Sequence, residues 1–129
     1  MTIRVLIADD DPAVRRVVRI FLADADDMTV VGEAECGQDA VEMIERLRPD
    51  VALIDCAMPN LDCIEVARLV KSFPETVGLV VLDTYGRLAV EAHEASTSAY
   101  ILKDALRKRL LDTIRQAASS SYGDLDESN

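Results

Sequence analysis

Asp50-Val51-Ala52-Leu53-Ile54-Asp55-Cys56-Ala57-Met58-Pro59 places four consecutive apolar residues between two aspartates and then turns at Met-Pro. A strand apolar at every position is buried on both faces, as in a parallel sheet covered by helices. Similar runs stand on either side of it. Ile3, Val5, Leu6, Ile7 and Ala8 lead into Asp9-Asp10-Asp11, and Met28 to Ala34 reads as a second strand. Leu79 to Leu82 ends at Asp83, and Ala99 to Leu102 ends at Lys103. Between the strands the apolar period changes to that of a helix. Val14, Val17, Val18, Phe21 and Leu22 follow the Asp11 cap and Pro12, with Arg15, Arg16 and Arg19 on a solvated face.

Gly37 reads as the turn before a second helix marked by Ala40, Val41, Ile44 and Leu47 and stopped by Pro49. Ile64, Ala67, Leu69 and Val70 mark a third helix, ended by Pro74. A weaker fourth spans about Leu88 to Ala95, and Leu106, Leu110, Leu111, Ile114 and Ala118 mark the last. Five such units predict one α/β domain over residues 1–118, a five-stranded parallel doubly wound sheet in three layers. Residues 119–129, rich in Ser and acids, read as a linker-like, disordered tail.

At 129 residues and 50% hydrophobic the chain can bury a core, and with 4% aromatics and no Trp that core is aliphatic. The formal charge of −10 argues against this chain gripping a nucleic-acid backbone, which requires a basic face. Cys36, Cys56 and Cys63 fit no zinc spacing and read as three buried, reduced thiols. The apolar runs are too short for a membrane span, and the acidic N-terminal cluster is unlike a signal peptide, so a cytoplasmic protein is expected. His93, the only histidine, reads as a helix-surface residue; Met28, Met43 and Met58 read as packing; Asp124, Asp126 and Glu127 read as solvated.

Ligands of an open α/β sheet bind at the carboxyl ends of its strands. Here those ends carry Asp9, Asp10, Asp55, Asp83 and Lys103, so four carboxylates and one ammonium share an edge. The first and third strands are neighbours in this topology, so Asp9, Asp10 and Asp55 converge. Each close carboxylate pair costs about 4 kcal/mol at a separation of about 4 Å and an effective dielectric of about 20. A hard divalent cation such as Mg²⁺ relieves that repulsion, with Lys103 as a further positive charge. A carboxylate beside a metal and a lysine is equipped to attack phosphorus.

Over nearly all of residues 1–118 the sequence resembles the receiver domain of two-component response regulators. The resemblance is carried by Asp9-Asp10, by the run from Asp50 through Asp55, Met58 and Pro59 to Asp62, and by Tyr100-Ile101-Leu102-Lys103-Asp104. It implies a flavodoxin-like receiver fold. Asp55 would be the phosphoacceptor, Asp9 and Asp10 would hold Mg²⁺ with Asp55 and the backbone carbonyl of Ala57, and Lys103 would contact the phosphoryl oxygens. Tyr100 would be the aromatic switch. The stretches Asp83 to Arg87 and Lys103 to Ala105 resemble the subgroup with a helix-turn-helix effector. The implied partners are a cognate histidine kinase, a second copy forming a homodimer through the first and last helices, and DNA reached only through an effector domain that this chain lacks. No membrane partner and no turnover of an external substrate are expected.

Asp83 departs from the pattern, standing where the family has Thr or Ser. An ionised Asp has no donor and carries the wrong charge toward a phosphoryl group. Cys63 and Ala99 replace usual glycines, and the segment from Arg87 to Tyr100 is short, which should shorten the fourth helix. Three functions follow. The first is a phospho-accepting receiver controlling a DNA-binding effector. The second is an atypical receiver in which Asp83 holds Lys103, phosphate is poorly accepted, and a partner, ligand or dimerisation takes control. The third, a Mg²⁺-dependent phosphohydrolase, needs an acid where Ala57 stands.

Overall fold

The computed structural model describes residues 2–86, 89–95 and 97–127, with side chains described through Ser119. In chain order the elements are β1 (Ile3–Ala8), α1 (Pro12–Ala23), β2 (Met28–Ala34), α2 (Gly37–Leu47), β3 (Val51–Asp55), α3 (Cys63–Val70), β4 (Gly78–Asp83), α4 (Ala89–Glu94), β5 (Ala99–Leu102) and α5 (Leu106–Glu127), with a 3₁₀ turn over Lys103–Ala105. All strand pairs are parallel, in the order β2-β1-β3-β4-β5. The doubly wound sheet expected from the sequence is the sheet observed.

Alternation along each strand divides the core into two layers. Leu6, Ala8, Ala52, Ile54 and Val81 face one cluster together with Ile44, Val66 and Ala67 of α2 and α3. Val5, Ile7, Leu53, Val80 and Leu82 face the other with Val18 and Leu22 of α1 and Leu110 and Ile114 of α5. β3 and β4 are buried at every residue, which explains their unbroken apolar runs. Leu106, Leu110 and Ile114 are therefore core residues, and the last helix does not offer them as a pairing face.

The helix starts are chemically marked. The Asp11 carboxylate accepts from the Ala13 amide with Pro12 in the first turn, and Asp62 and Glu65 form a reciprocal capping box on α3. α2 ends on Arg48 in the left-handed region (φ 50°), immediately before Pro49. Its start corrects two expectations. Cys36 is only half-buried, and its Sγ accepts from the Asp39 amide as the cap. Gly37 is the first helical residue, not a turn, and its glycine character has another cause: a Cβ there would lie 2.0 Å from the Leu61 carbonyl oxygen. Gly37→Ala is expected to destabilise the fold by about 3 kcal/mol, since backbone rather than a side chain must yield. A urea midpoint equal to the parent's would refute this.

α4 is short, at six residues, in line with the short segment that precedes β5, and Leu88, expected as its start, and Arg87 lie outside the described residues. α5 continues past Ala118 to Glu127, where a disordered tail was expected. No proline interrupts that stretch, and extending an existing helix fixes one residue per added hydrogen bond. Among the described residues no helix is long and apolar enough to cross a membrane.

Candidate functional site

Sheet register assembles the site. Ala8 pairs with Ile54, so Asp9 and Asp55, each one residue on, stand side by side. Asp55 pairs with Leu82 and Asp83 with Leu102, which brings Asp83 and Lys103 to the same edge from β4 and β5. Asp9, Asp55 and Asp83 are 1%, 6% and 7% exposed, while Asp10 is exposed.

Lys103 reaches over β4 to the acidic cluster. Its Nζ lies 2.8 Å from Asp55 Oδ1 and 3.0 Å from Asp9 Oδ2. Asp9 is further held from its own element, because its Oδ1 accepts from the Asp11 amide at 2.9 Å and its carbonyl accepts from Arg15 Nη1 at 2.6 Å. Asp9 Oδ2 is buried and has the Lys103 ammonium, 3.0 Å away, as its counter-charge. One carboxylate oxygen from each of Asp9, Asp10 and Asp55 lies within 4.8 Å of the others. An all-oxygen set with one exposed member fits Mg²⁺, which prefers few carboxylates and retains waters.

Burial raises the Asp55 carboxyl above its ordinary range; the Lys103 hydrogen bond opposes that rise, and the negative charges of Asp9 and Asp10 add to it. Burial works against the Lys103 ammonium, but the hydrogen bonds and charges of Asp55 and Asp9 more than offset it and hold the amine above its usual range. Because the folded pKa of Asp55 exceeds the unfolded one, its contribution is full below the unfolded carboxylate range and is lost as pH rises through the raised value. Without divalent cation at neutral pH, Asp55→Asn is therefore expected to be more stable than the parent. The difference should close toward acid. Equal urea midpoints at neutral pH would contradict this.

Asp83 and Lys103 do not behave as the second sequence reading required. Among the described residues the ion pairs of Lys103 run to Asp9 and Asp55, and Asp83 instead accepts from the Tyr100 hydroxyl and, at 3.3 Å, from the Tyr85 amide. Register explains the difference: Lys103 lies one residue beyond the Asp83–Leu102 pair, and its long side chain passes Asp83 toward two carboxylates instead of one. Thr84 lies in a bend beyond β4 and is exposed, so Asp83 itself occupies the strand-end position. Ala57 follows β3 in an exposed turn.

Sequence reasoning also missed three contacts. Arg15 and Arg19, read as a solvated face, both reach Glu33 on β2, at 3.1 and 2.7 Å. Glu33 lies in a strand that is half-buried without alternation from Val30 to Glu33, and only the β1–β2 pairing puts it opposite α1. The Cys63 and Cys56 thiols lie 3.6 Å apart, both buried. Burial raises the Cys56 thiol strongly and pushes Cys63 up to about 11.

The comparisons with known proteins point one way. A family model described as "Response regulator receiver domain" matches residues 5–115. The transcriptional regulatory proteins YhcZ and YxjL of Bacillus subtilis are 38% and 39% identical, over 92% and 90% of this chain. The chain spans about half the length of these relatives, 56% and 54%. Among solved structures, the receiver domain of the putative response regulator NarL from Mycobacterium tuberculosis superposes with a TM-score of 0.86 at 31% identity, covering 92% of this chain and 97% of that one. The response regulator domain of Thermotoga maritima CheB gives 0.85 at 32% identity, covering 92% of this chain and 98% of that one. A parallel sheet that brings acids and a lysine to one edge and a family match across nearly every element agree: this chain belongs to the response regulator receiver domains of two-component systems.

Proposed function

We propose that Asp55 accepts a phosphoryl group from a histidine kinase and that the chain thereby controls a DNA-binding effector in a longer regulator. The observation that carries this reading is the 2.8 Å contact from Lys103 Nζ to Asp55 Oδ1, where oxygens of Asp9, Asp10 and Asp55 lie within 4.8 Å of one another. A carboxylate oxygen of Asp55 attacks phosphorus in line with the leaving group. The O–P bond forms as the bond to the donor imidazole breaks, and no proton leaves Asp55 because it reacts ionised. Burial raises the basicity of that oxygen, while the Lys103 ammonium keeps it charged and stands ready for the phosphoryl oxygens. Asp9, Asp10, Asp55 and the Ala57 carbonyl would hold Mg²⁺, which when bound neutralises phosphoryl charge.

The acidic chain is the signal-receiving part and leaves DNA contact to the effector, in keeping with relatives named transcriptional regulatory proteins. A second copy is proposed to pair across α1, where Val17 and Ile20 are 42% and 55% exposed. The reading in which Asp83 disables the site is disfavoured because Lys103 remains with Asp55. Incubation with a small acyl phosphate and Mg²⁺ should add one phosphoryl mass, sensitive to hydroxylamine and dependent on Mg²⁺. No mass gain at millimolar donor would refute the reading.

A further inference from the structure

Cys56 is the first residue after β3 and Cys63 is the first residue of α3, so the pair brackets the loop that follows Asp55. Their Sγ atoms are 3.6 Å apart, and the residues are 4% and 1% exposed. Both backbones are pinned. The Cys63 amide donates to the Cys56 carbonyl at 3.4 Å, and the Cys56 amide donates to the Leu82 carbonyl at 2.8 Å. α3 is anchored at this point by its Asp62–Glu65 capping box. Two cysteines could simply serve as small core hydrophobes. Here, however, backbone and cap hold the two sulfurs facing each other, and a closure of about 1.6 Å completes a disulfide of about 2.0 Å.

We propose that Cys56 and Cys63 are a modification site, a reversible intramolecular disulfide whose formation draws α3 toward the end of β3 and slows phosphoryl uptake at Asp55. The consequence for Asp55 rests on the phosphoacceptor reading; the disulfide itself does not. The oxidant is a peroxide. Hydrogen peroxide oxidises one thiol to a sulfenic acid and leaves as one water. The second thiol sulfur then displaces the sulfenic oxygen, forming the S–S bond and releasing a second water. A dithiol reductant returns both thiols by exchange. Access is through the intervening loop, in which Ala57, Pro59 and Asn60 are exposed. Cys56 is covalently joined to Asp55, so movement of its sulfur acts directly on the reacting carboxylate. A misplacement of about 1 Å at a reacting group can cost on the order of a hundredfold in rate.

The test uses the full chain with Cys36→Ser, which retains a side-chain cap on α2 and removes the third thiol. After hydrogen peroxide, unfolding and alkylation, both remaining thiols should be lost together, with the monomer lighter by two hydrogens and a 56–63 crosslink in the peptide map. Labelling by a small acyl phosphate with Mg²⁺ should slow at least about tenfold, and dithiothreitol should restore both. Cys56→Ala and Cys63→Ala should each form no internal crosslink and label at a rate unaffected by peroxide. Retention of both thiols, or oxygen adducts without a crosslink, would overturn the disulfide. A crosslinked chain that labels at the reduced rate would overturn its control of Asp55. If the reduced chain does not label at all, the phosphoacceptor reading fails, and the mass and crosslink alone decide the disulfide.

Discussion

Asp55→Asn is expected to take up no phosphoryl group under conditions that label the parent, a loss of at least about a thousandfold. The amide keeps the size of the side chain and a hydrogen-bond acceptor for Lys103, but it lacks the anionic oxygen that forms the bond to phosphorus. The folded state should be retained or strengthened, since a carboxyl raised by burial is removed from the acidic cluster. Intact mass after acyl phosphate and Mg²⁺ distinguishes the outcomes. Equal phosphorylation of parent and variant would move the acceptor elsewhere, and Asp9 or Asp10 would be examined next.

The second large effect is a gain. Asp83→Thr is expected to raise the extent or lifetime of phosphorylation at least about tenfold, since a negative charge near about 4 Å from a phosphoryl group costs about 1 to 4 kcal/mol between watery and protein-like screening. The variant also supplies a hydroxyl donor that an ionised Asp lacks. The observed bonding separates charge from position. Asp83 holds the Tyr100 hydroxyl, not Lys103, so the substitution leaves the Lys103–Asp55 contact in place and frees the ring of Tyr100 from one anchor. Asp83→Asn removes charge without adding a hydroxyl and should recover most of the gain if repulsion dominates. Tyr100→Phe keeps the charge and should recover little. Asp83→Thr labelling no better than the parent, at matched Mg²⁺ and donor, would show that Asp83 does not obstruct the site.

Much of the site could be read along the chain because parallel strands end where their polarity changes. Each of β1, β3 and β4 runs apolar and then meets an aspartate, so the residues that gather at one edge are marked by position alone. The acidic pair, Asp55 and Lys103 needed no coordinates for that reason. Their bonding did. Lys103 and Asp55 are far apart in sequence, and whether the ammonium stops at Asp83 or passes on to Asp55 depends on register and side-chain reach.

The apolar runs, the proline and aspartate punctuation and the order of strands and helices were local properties, and they were enough to determine a five-stranded doubly wound domain with its acids at one edge, while the receiver family was legible only through the resemblance of its motifs. What occurs between distant segments was decided only by the tertiary structure. Gly37 is a glycine because Leu61 lies over it, the last-helix leucines are core because β4 and β5 lie beneath them, and Cys56 faces Cys63 because a capped helix begins beside the end of β3. Periodicity reports which face of an element is buried; it carries no information about which atom on another element fills the space opposite, and that packing sets the partners of Asp83, Lys103 and the two thiols.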